Sequence, residues 1–399
     1  MKISGGDDDN YLMECGHKQT VYTIEYVSLI VINKQINVNY TGEPFLWLSE
    51  RINEKGTMHG MYNCPGGHIY TDETEEEALI RETFEETALN LNNENTTRKI
   101  CTHVIYNNEN RDNGLKVVHI YELVTSSELK NTETEKLGPW KQYTFREVLE
   151  LPVIDSVKEY VRRKVSQLLR YKRFIIVEGT VGAGKSTLIE EFISPMWSEK
   201  LREEVKVIHE AAVREEVKPK LKEFYERNIT LLQFQKIIES KYYDIMCEEI
   251  LFDGKERGNY ILDRSQVSTI IFSKMGDLQR EELRKLKRNR VYWDQIVKKS
   301  CIIYIRSSRN RVLKNKKIRA RTEENAMDIE YLEDLHDAYY YLMKKAYKTV
   351  IREDMMRTGT YIVNDIQIIN NSKNINRNRN TLKKEIKDVL KLIGHTLRY

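Results

Sequence analysis

The chain alternates short apolar runs with longer polar stretches, and the rhythm changes part-way along. In the N-terminal part, Val21–Asn33, Pro44–Arg51, Lys99–Tyr106 and Lys116–Val124 are rich in β-branched and aromatic residues and bounded by polar punctuation, which predicts strands. Glu75–Leu89, lying between them, predicts a helix. Asp155–Leu169 predicts a second, with Val157, Val165, Leu168 and Leu169 near helical spacing. It runs into Arg173 with no flexible linker. From Arg173 the apolar runs shorten to Phe174–Val177, Val205–Ile208, Tyr260–Leu262, Cys301–Ile305 and Tyr361–Val363, separated by long helical stretches. Buried parallel strands joined by helices produce this pattern. The Asn-rich patches Asn92–Asn95 and Asn370–Asn380 predict loops, and residues 1–19 a flexible acidic tail.

Composition narrows the class. A chain of 399 residues, 40% hydrophobic and 32% charged, has enough apolar material for two packed domains. No apolar run approaches the roughly 20 residues of a membrane span. The N-terminus has neither a signal-peptide core nor an Arg-rich transit character. The five cysteines (Cys15, Cys64, Cys101, Cys247 and Cys301) are scattered and never form a CxxC pair, which speaks against a disulfide scaffold or a zinc ribbon. A cytoplasmic protein with reduced thiols is expected. Charge adds an asymmetry: residues 1–155 carry a net charge of −12 and the remainder +16. One half is suited to holding cations and the other to attracting phosphates.

The first concentration of chemistry is residues 62–89, YNCPGGHIYTDETEEEALIRETFEETAL. Glu82, Glu85 and Glu86 stand at i, i+3 and i+4, on one face of a helix. Like charges so placed repel unless a cation sits among them, and hard divalent cations take oxygen ligands of this kind. Arg81, four residues before Glu85, can brace it. The segment resembles the Nudix box, G-x5-E-x7-R-E-U-x-E-E-x-G-U with U apolar, on Gly67, Glu73, Arg81, Glu82, Glu85, Glu86 and Leu89. It departs at two positions: Thr83 stands where an apolar residue is usual, and Ala88 where the last Gly is. The resemblance implies hydrolysis of a nucleoside diphosphate linked to another group. Glu82, Glu85 and Glu86 would hold Mg²⁺, with Mn²⁺ an alternative, and Glu85 or Glu86 would act as base.

The second is RFIIVEGTVGAGKST, residues 173–187: an apolar strand, then G-x-x-x-x-G-K-S from Gly179 to Ser186, then a helix beginning at Thr187. This is the strand–loop–helix context of a P-loop, in which Gly179, Gly182 and Gly184 let backbone N–H groups wrap phosphates. Lys185 would reach the β- and γ-phosphates of ATP and Ser186 the Mg²⁺. Further on, Val207-Ile208-His209-Glu210 and Tyr260-Ile261-Leu262-Asp263-Arg264-Ser265 are strands ending in charge. Such ends point into the ligand crevice of an open α/β sheet, where Glu210 could serve as base for a hydroxyl.

With Arg319-Ala320-Arg321-Thr322-Glu323-Glu324, these segments resemble the deoxynucleoside kinase family over about residues 173–366. The resemblance implies Glu210 as base for the 5′-hydroxyl, Asp263 as a Mg²⁺ partner in place of the usual Glu, and Arg264 holding the reacting end. It further implies Phe234 and Gln235 at the base, Tyr225 and Glu324 at the sugar 3′-hydroxyl, and Arg319 and Arg321 in a lid. The Glu-Pro and nearby Trp usual in the family are absent after Glu210, which leaves one wall of the base pocket open. Thymidylate kinases share the P-loop and Asp-Arg, but Ser265 stands where they usually carry Tyr.

The expected architecture is therefore α/β throughout. A Nudix α/β/α sandwich with a mixed sheet spans residues 20–168, and a P-loop kinase with a five-stranded parallel sheet flanked by helices spans 172–399. The resemblances imply deoxynucleosides and nucleotides as partners, admit a homodimer through the kinase half, and imply neither membrane nor nucleic acid. Two other readings stay open on the sequence: a Nudix half that senses nucleotides and regulates the kinase, and one that hydrolyses RNA 5′ ends or caps.

Overall fold

The computed structural model describes residues 11–13, 21–33, 43–54, 58–91, 97–107, 114–273, 282, 293–319, 327–353, 365–370 and 375–396. These separate into two compact units, Met1–Lys164 and Val165–Tyr399.

The first unit is built on a seven-stranded mixed sheet. Its strands are β1 (Tyr11–Met13), β2 (Val21–Asn33), β3 (Phe45–Glu50), β4 (Tyr62–Asn63), β5 (Thr97–Asn107), β6 (Gly114–Thr125) and β7 (Lys141–Thr144). The order is β4-β3-β2-β6-β5, with β1 also paired to β2 and β7 to β3. Strand β2 runs parallel to β6 and antiparallel to β3. Within the stretch read as a tail, Tyr11–Met13 pairs with Val21–Thr23.

Alternation along β6 explains the layers, because successive side chains face opposite sides of a sheet. Tyr121 and Leu123 face the helix Glu75–Thr87, whose Ala78 and Leu79 join Val27, Leu29 and Val31 in the core. Glu122 faces the other way and accepts the Tyr160 hydroxyl, at 2.5 Å, from the helix Asp155–Leu168. Helices thus cover both faces of the sheet.

The second unit has five parallel strands: β8 (Tyr171–Glu178), β9 (Lys206–Ile208), β10 (Arg257–Asp263), β11 (Ser300–Arg306) and β12 (Asp365–Asn370). Their order is β12-β11-β8-β10-β9, which places the first strand in the centre. Two expectations change here. The strand expected at 361–363 falls outside the described residues, and the described strand is Asp365–Asn370. The expected loop Asn370–Asn380 is overturned in part, since the helix Ile375–Thr396 begins inside it. Leu382, Ile386, Val389, Leu390 and Ile393 are its apolar face and pack into the sheet core, and this burial outweighs the weak helix propensity of the asparagines in its first turns. The asparagines Asn92–Asn95 lie outside the described residues. Among the described residues no helix is long and apolar enough to cross a membrane.

Candidate active sites

In the first unit the box residues gather around the Glu75–Thr87 helix. Thr74 opens this helix with a capping box, its side chain accepting from the Glu77 N–H while the Glu77 carboxylate accepts from the Thr74 N–H. Arg81 is the hub of the carboxylates. Its Nε and Nη2 donate to Glu73 at 3.0 and 2.6 Å, its Nη1 to Glu82 at 2.7 Å and Glu85 at 3.3 Å, and Nη2 also to the His68 carbonyl at 2.9 Å. Burial works to raise the Glu73 carboxyl, but the hydrogen bonds from Arg81 overcome it and leave Glu73 below the ordinary range.

The two glycines have separate reasons. A Cβ on Gly67 would lie 2.4 Å from the carboxyl carbon and both oxygens of Glu82, so glycine leaves the space that carboxylate occupies. Gly66, at φ +148°, has its N–H 3.1 Å from Glu86 Oε2, and a Cβ there would meet the Val27 carbonyl oxygen at 2.1 Å.

Glu86 is 7% exposed, and its carboxyl is pushed up to about 8, chiefly by burial. The Gly66 N–H opposes that rise and the charge on Glu82 adds to it. Glu82 is also raised by burial, while the Glu85 side chain is half exposed. Among the described residues no group of three or more acidic, His or Cys side chains stands arranged to hold a metal ion. The donor set nonetheless suits a hard divalent cation: all oxygen, with two carboxylates held away from water that lack a full counter-charge.

The departures from the box are also accounted for. Thr83 is fully buried, and its Oγ1 has no hydrogen-bond partner, so it fills the space of an apolar residue. Ala88 caps the helix in the left-handed conformation, φ 55° and ψ 13°, that a glycine adopts without strain.

In the second unit, strand register assembles the site. Ile208 pairs with Leu262, and Val177 with Asp263. The residues that follow leave three neighbouring strands together, and they are Glu178, Glu210 and Asp263-Arg264. Glu210 approaches Arg264 Nε at 2.5 Å, and both line a cleft whose other walls include Val181, Tyr225, Phe234, Gln235, Tyr242, Ser268, Thr269 and Tyr331.

The P-loop turns through Gly182 at φ 77° and Gly184 at φ 89° into the helix Lys185–Leu188, which contains Thr187. Gly179 abuts the Ile305 carbonyl oxygen, which a Cβ would meet at 2.8 Å. Asp263 reaches the loop despite its short side chain. Its Oδ2 accepts from Ser186 Oγ at 2.9 Å, and Lys185 Nζ lies 4.0 Å from its Oδ1. That Oδ1 is buried and accepts no hydrogen bond. An unsatisfied carboxylate oxygen beside a serine hydroxyl fits a hard cation in chemistry.

The helix Leu231–Asp244 carries Phe234 and Gln235 into the cleft wall and opens with a capping box between Thr230 and Gln233. Phe234 stacks on Phe224, centroids 5.0 Å apart and planes 8° apart. Tyr225 meets Tyr331 edge-on at 6.2 Å. Gln235 Oε1 and Thr269 Oγ1 are buried without a hydrogen-bond partner, two polar atoms at a cleft otherwise rich in aromatics.

Arg319 is the last residue of the helix Arg309–Arg319, while Arg321 and Glu324 lie outside the described residues. Sequence reasoning missed Phe224, Tyr242, Ser268, Tyr331 and Glu178. The signal that found Glu210 and Asp263, charge at the end of a buried strand, also marks Glu178.

Comparison with known proteins follows the same division. A family model for deoxynucleoside kinases matches residues 175–391, over half of the chain, and one for the NUDIX domain matches residues 26–164. Among solved structures, the chain is similar to a deoxyadenosine kinase from M. mycoides with bound dCTP. Identity is 21%, over 55% of this chain and 99% of that one, at a TM-score of 0.39. It is similar to the NUDIX domain of Shewanella oneidensis NrtR complexed with ADP ribose, with 19% identity over 37% of this chain and 88% of that one, at a TM-score of 0.30. It is also similar to a MutT NUDIX hydrolase from Burkholderia pseudomallei, with 16% identity over 35% and 95%, at a TM-score of 0.27. The chain belongs to the deoxynucleoside kinase family and carries a NUDIX domain ahead of the kinase domain, so that one polypeptide combines a Nudix hydrolase with a deoxynucleoside kinase.

Proposed function

We propose that the kinase domain transfers the γ-phosphoryl group of ATP to the 5′-hydroxyl of a deoxynucleoside bound in the aromatic cleft. The observation that carries this reading is the Glu210–Arg264 pair at the junction of cleft and P-loop. A carboxylate there accepts the hydroxyl proton as the oxygen attacks, and the guanidinium steadies the reacting end. Lys185 offsets charge on the transferring phosphates. Mg²⁺ on Ser186 and Asp263 would supply further charge neutralisation when bound. Phe234 packs beside the base, Gln235 hydrogen-bonds it, and Tyr225 and Glu324 hold the sugar. Arg319 and Arg321 close over the phosphates.

Glu210→Gln keeps the shape and removes the proton acceptor. It should lower kcat by roughly 10²–10⁴-fold while nucleoside affinity is largely kept. An unchanged kcat would place the base elsewhere.

The NUDIX domain, in this reading, hydrolyses a nucleoside diphosphate derivative, with Glu82, Glu85 and Glu86 holding Mg²⁺ or Mn²⁺. The cation supplies charge neutralisation and an activated water when bound. Glu85 or Glu86 takes the water's proton, and Arg81 sets the carboxylates in place. The full set of box carboxylates favours catalysis over a sensing role.

A deoxynucleoside triphosphate is the substrate that gives the fusion a chemical logic. Its hydrolysis yields the monophosphate that the kinase also makes, and it removes a compound able to occupy the nucleoside and phosphate sites together. Incubating Lys185→Ala protein with each deoxynucleoside triphosphate and Mg²⁺ tests this. Monophosphate and pyrophosphate support the reading, whereas inertness alongside turnover of ADP-ribose or a dinucleoside polyphosphate rejects it.

A further inference from the structure

From Arg264 and Ser268 in the wall of the kinase cleft a buried hydrogen-bond chain runs to Tyr339 and Glu178, two residues to which the reaction as described gives no part. Glu178, the residue before Gly179, is fully buried. Its Oε1 accepts from the Ser265 N–H at 3.1 Å and from Ser265 Oγ at 3.0 Å, and its Oε2 is 2.7 Å from Ser268 Oγ. Ser268 Oγ is in turn 2.9 Å from the Tyr339 hydroxyl, and Tyr339 accepts from Arg264 Nη1. Each hydroxyl has one proton, which fixes the direction of the chain. Arg264 donates to Tyr339, Tyr339 to Ser268, and Ser268 to the Glu178 carboxylate. The far side of Arg264 faces Glu210.

Three further facts show how hard Arg264 is held. It is 4% exposed, and it adopts φ 72°, a left-handed conformation costly for a residue with a Cβ. Its guanidinium lies 5.4 Å from the ring centres of both Phe272 and Tyr339. Ser265, Ser268 and Tyr339 are all at or below 3% exposure, so no water competes for these bonds. In such surroundings a satisfied network rigidifies and a broken one is costly. Burial raises the Glu178 carboxyl, while Arg264 and the two serines oppose that rise.

We infer that Glu178, Ser268 and Tyr339 are positioning residues. They fix the Arg264 guanidinium, and through it the Glu210 carboxylate, relative to the P-loop that follows Glu178. The network thereby ties the phosphate-donor loop to the acceptor end of the reaction. This rests on the reading of Glu210 as the base, and the test separates the two.

The experiment measures nucleoside phosphorylation by the full chain carrying Tyr339→Phe, Ser268→Ala or Glu178→Gln, each alone and combined with Glu210→Gln. Hydrolase activity and thermal unfolding of the same preparations report the integrity of the fold. A misplacement of about 1 Å costs up to roughly 10²-fold in rate. Tyr339→Phe and Ser268→Ala are therefore expected to lower kcat about 10- to 100-fold, with the KM for ATP within about twofold of the parent. In the Glu210→Gln background the same changes should cost little more, because the group they position is already gone.

Losses that multiply in that background, or a kcat unchanged by either hydroxyl deletion, overturn the inference while leaving Glu210 as base. Full activity of Glu210→Gln alone overturns the base assignment and the inference with it. Ser268→Ala, the smallest change, decides the matter should Tyr339→Phe fail to fold.

Discussion

Gly67→Ala is a perturbation whose size can be worked from the geometry. The added Cβ would lie 2.4 Å from the Glu82 carboxyl carbon and from both its oxygens, where ordinary contact begins near 3.4 Å. The carboxylate must therefore retreat by about 1 Å, and Arg81 Nη1, 2.7 Å from it, must follow or let go. A displacement of that size in a catalytic constellation costs up to roughly 10²-fold in rate. Hydrolysis by the NUDIX domain should fall by that order, and phosphorylation by the kinase domain should be unchanged.

Stability should barely change, because the clash is with the end of a side chain and Gly67 is not among the glycines at positive φ. Gly66→Ala is the contrasting control. Its Cβ would meet backbone, the Val27 carbonyl oxygen at 2.1 Å, from a left-handed φ, so this variant should unfold at markedly lower temperature. The assay is product formation for both activities on one preparation, with a thermal melt alongside. Parent-level hydrolysis by Gly67→Ala would refute the placement of Glu82 in the reaction centre.

Three other outcomes are expected. Ala88→Gly relieves a left-handed alanine, worth about 1–2 kcal/mol, against about 0.4–1 kcal/mol of added unfolded-state entropy. It should therefore raise the melting temperature of the NUDIX unit by a few degrees, and a lower melting temperature would contradict the cap geometry. Gln266 is 1% exposed, and neither of its amide atoms has a hydrogen-bond partner, so Gln266→Leu should leave stability unchanged or raise it by about 1–3 kcal/mol. A clear loss in a denaturant titration would show that the amide is satisfied after all. The uncharged pair Gln235 and Thr269 at the cleft suits a pyrimidine such as thymidine over deoxyguanosine, and strong deoxyguanosine preference in a competition assay would overturn this.

Legibility in the sequence followed how tightly chemistry ties residues to spacing. Glu82, Glu85 and Glu86 could be read because their spacing puts them on one helix face, and Gly67, Glu73 and Arg81 because they stand at the spacing of the Nudix box; the structure has Arg81 bridging Glu73, Glu82 and Glu85. Glu210 and Asp263 could be read because charge at the end of a buried apolar strand is rare. Phe224, Tyr242 and Tyr331 could not, since an aromatic residue within a helix looks the same whether it packs in the core or lines a cleft. The helix Ile375–Thr396 was hidden by its asparagines, because local composition does not report the sheet face that Ile386 and Ile393 fill. Glu178 does not stand out in the sequence because it directly precedes Gly179, where the glycine-rich motif begins.

The claim that two independent active sites share this chain is tested most directly by assaying both reactions on Lys185→Ala and on Glu86→Gln. Lys185→Ala removes the buried ammonium beside Asp263 and should abolish phosphorylation while hydrolysis continues at the parent rate. Glu86→Gln should do the reverse. If either substitution, in a protein that still melts like the parent, abolishes both activities or neither, the two-site account is wrong.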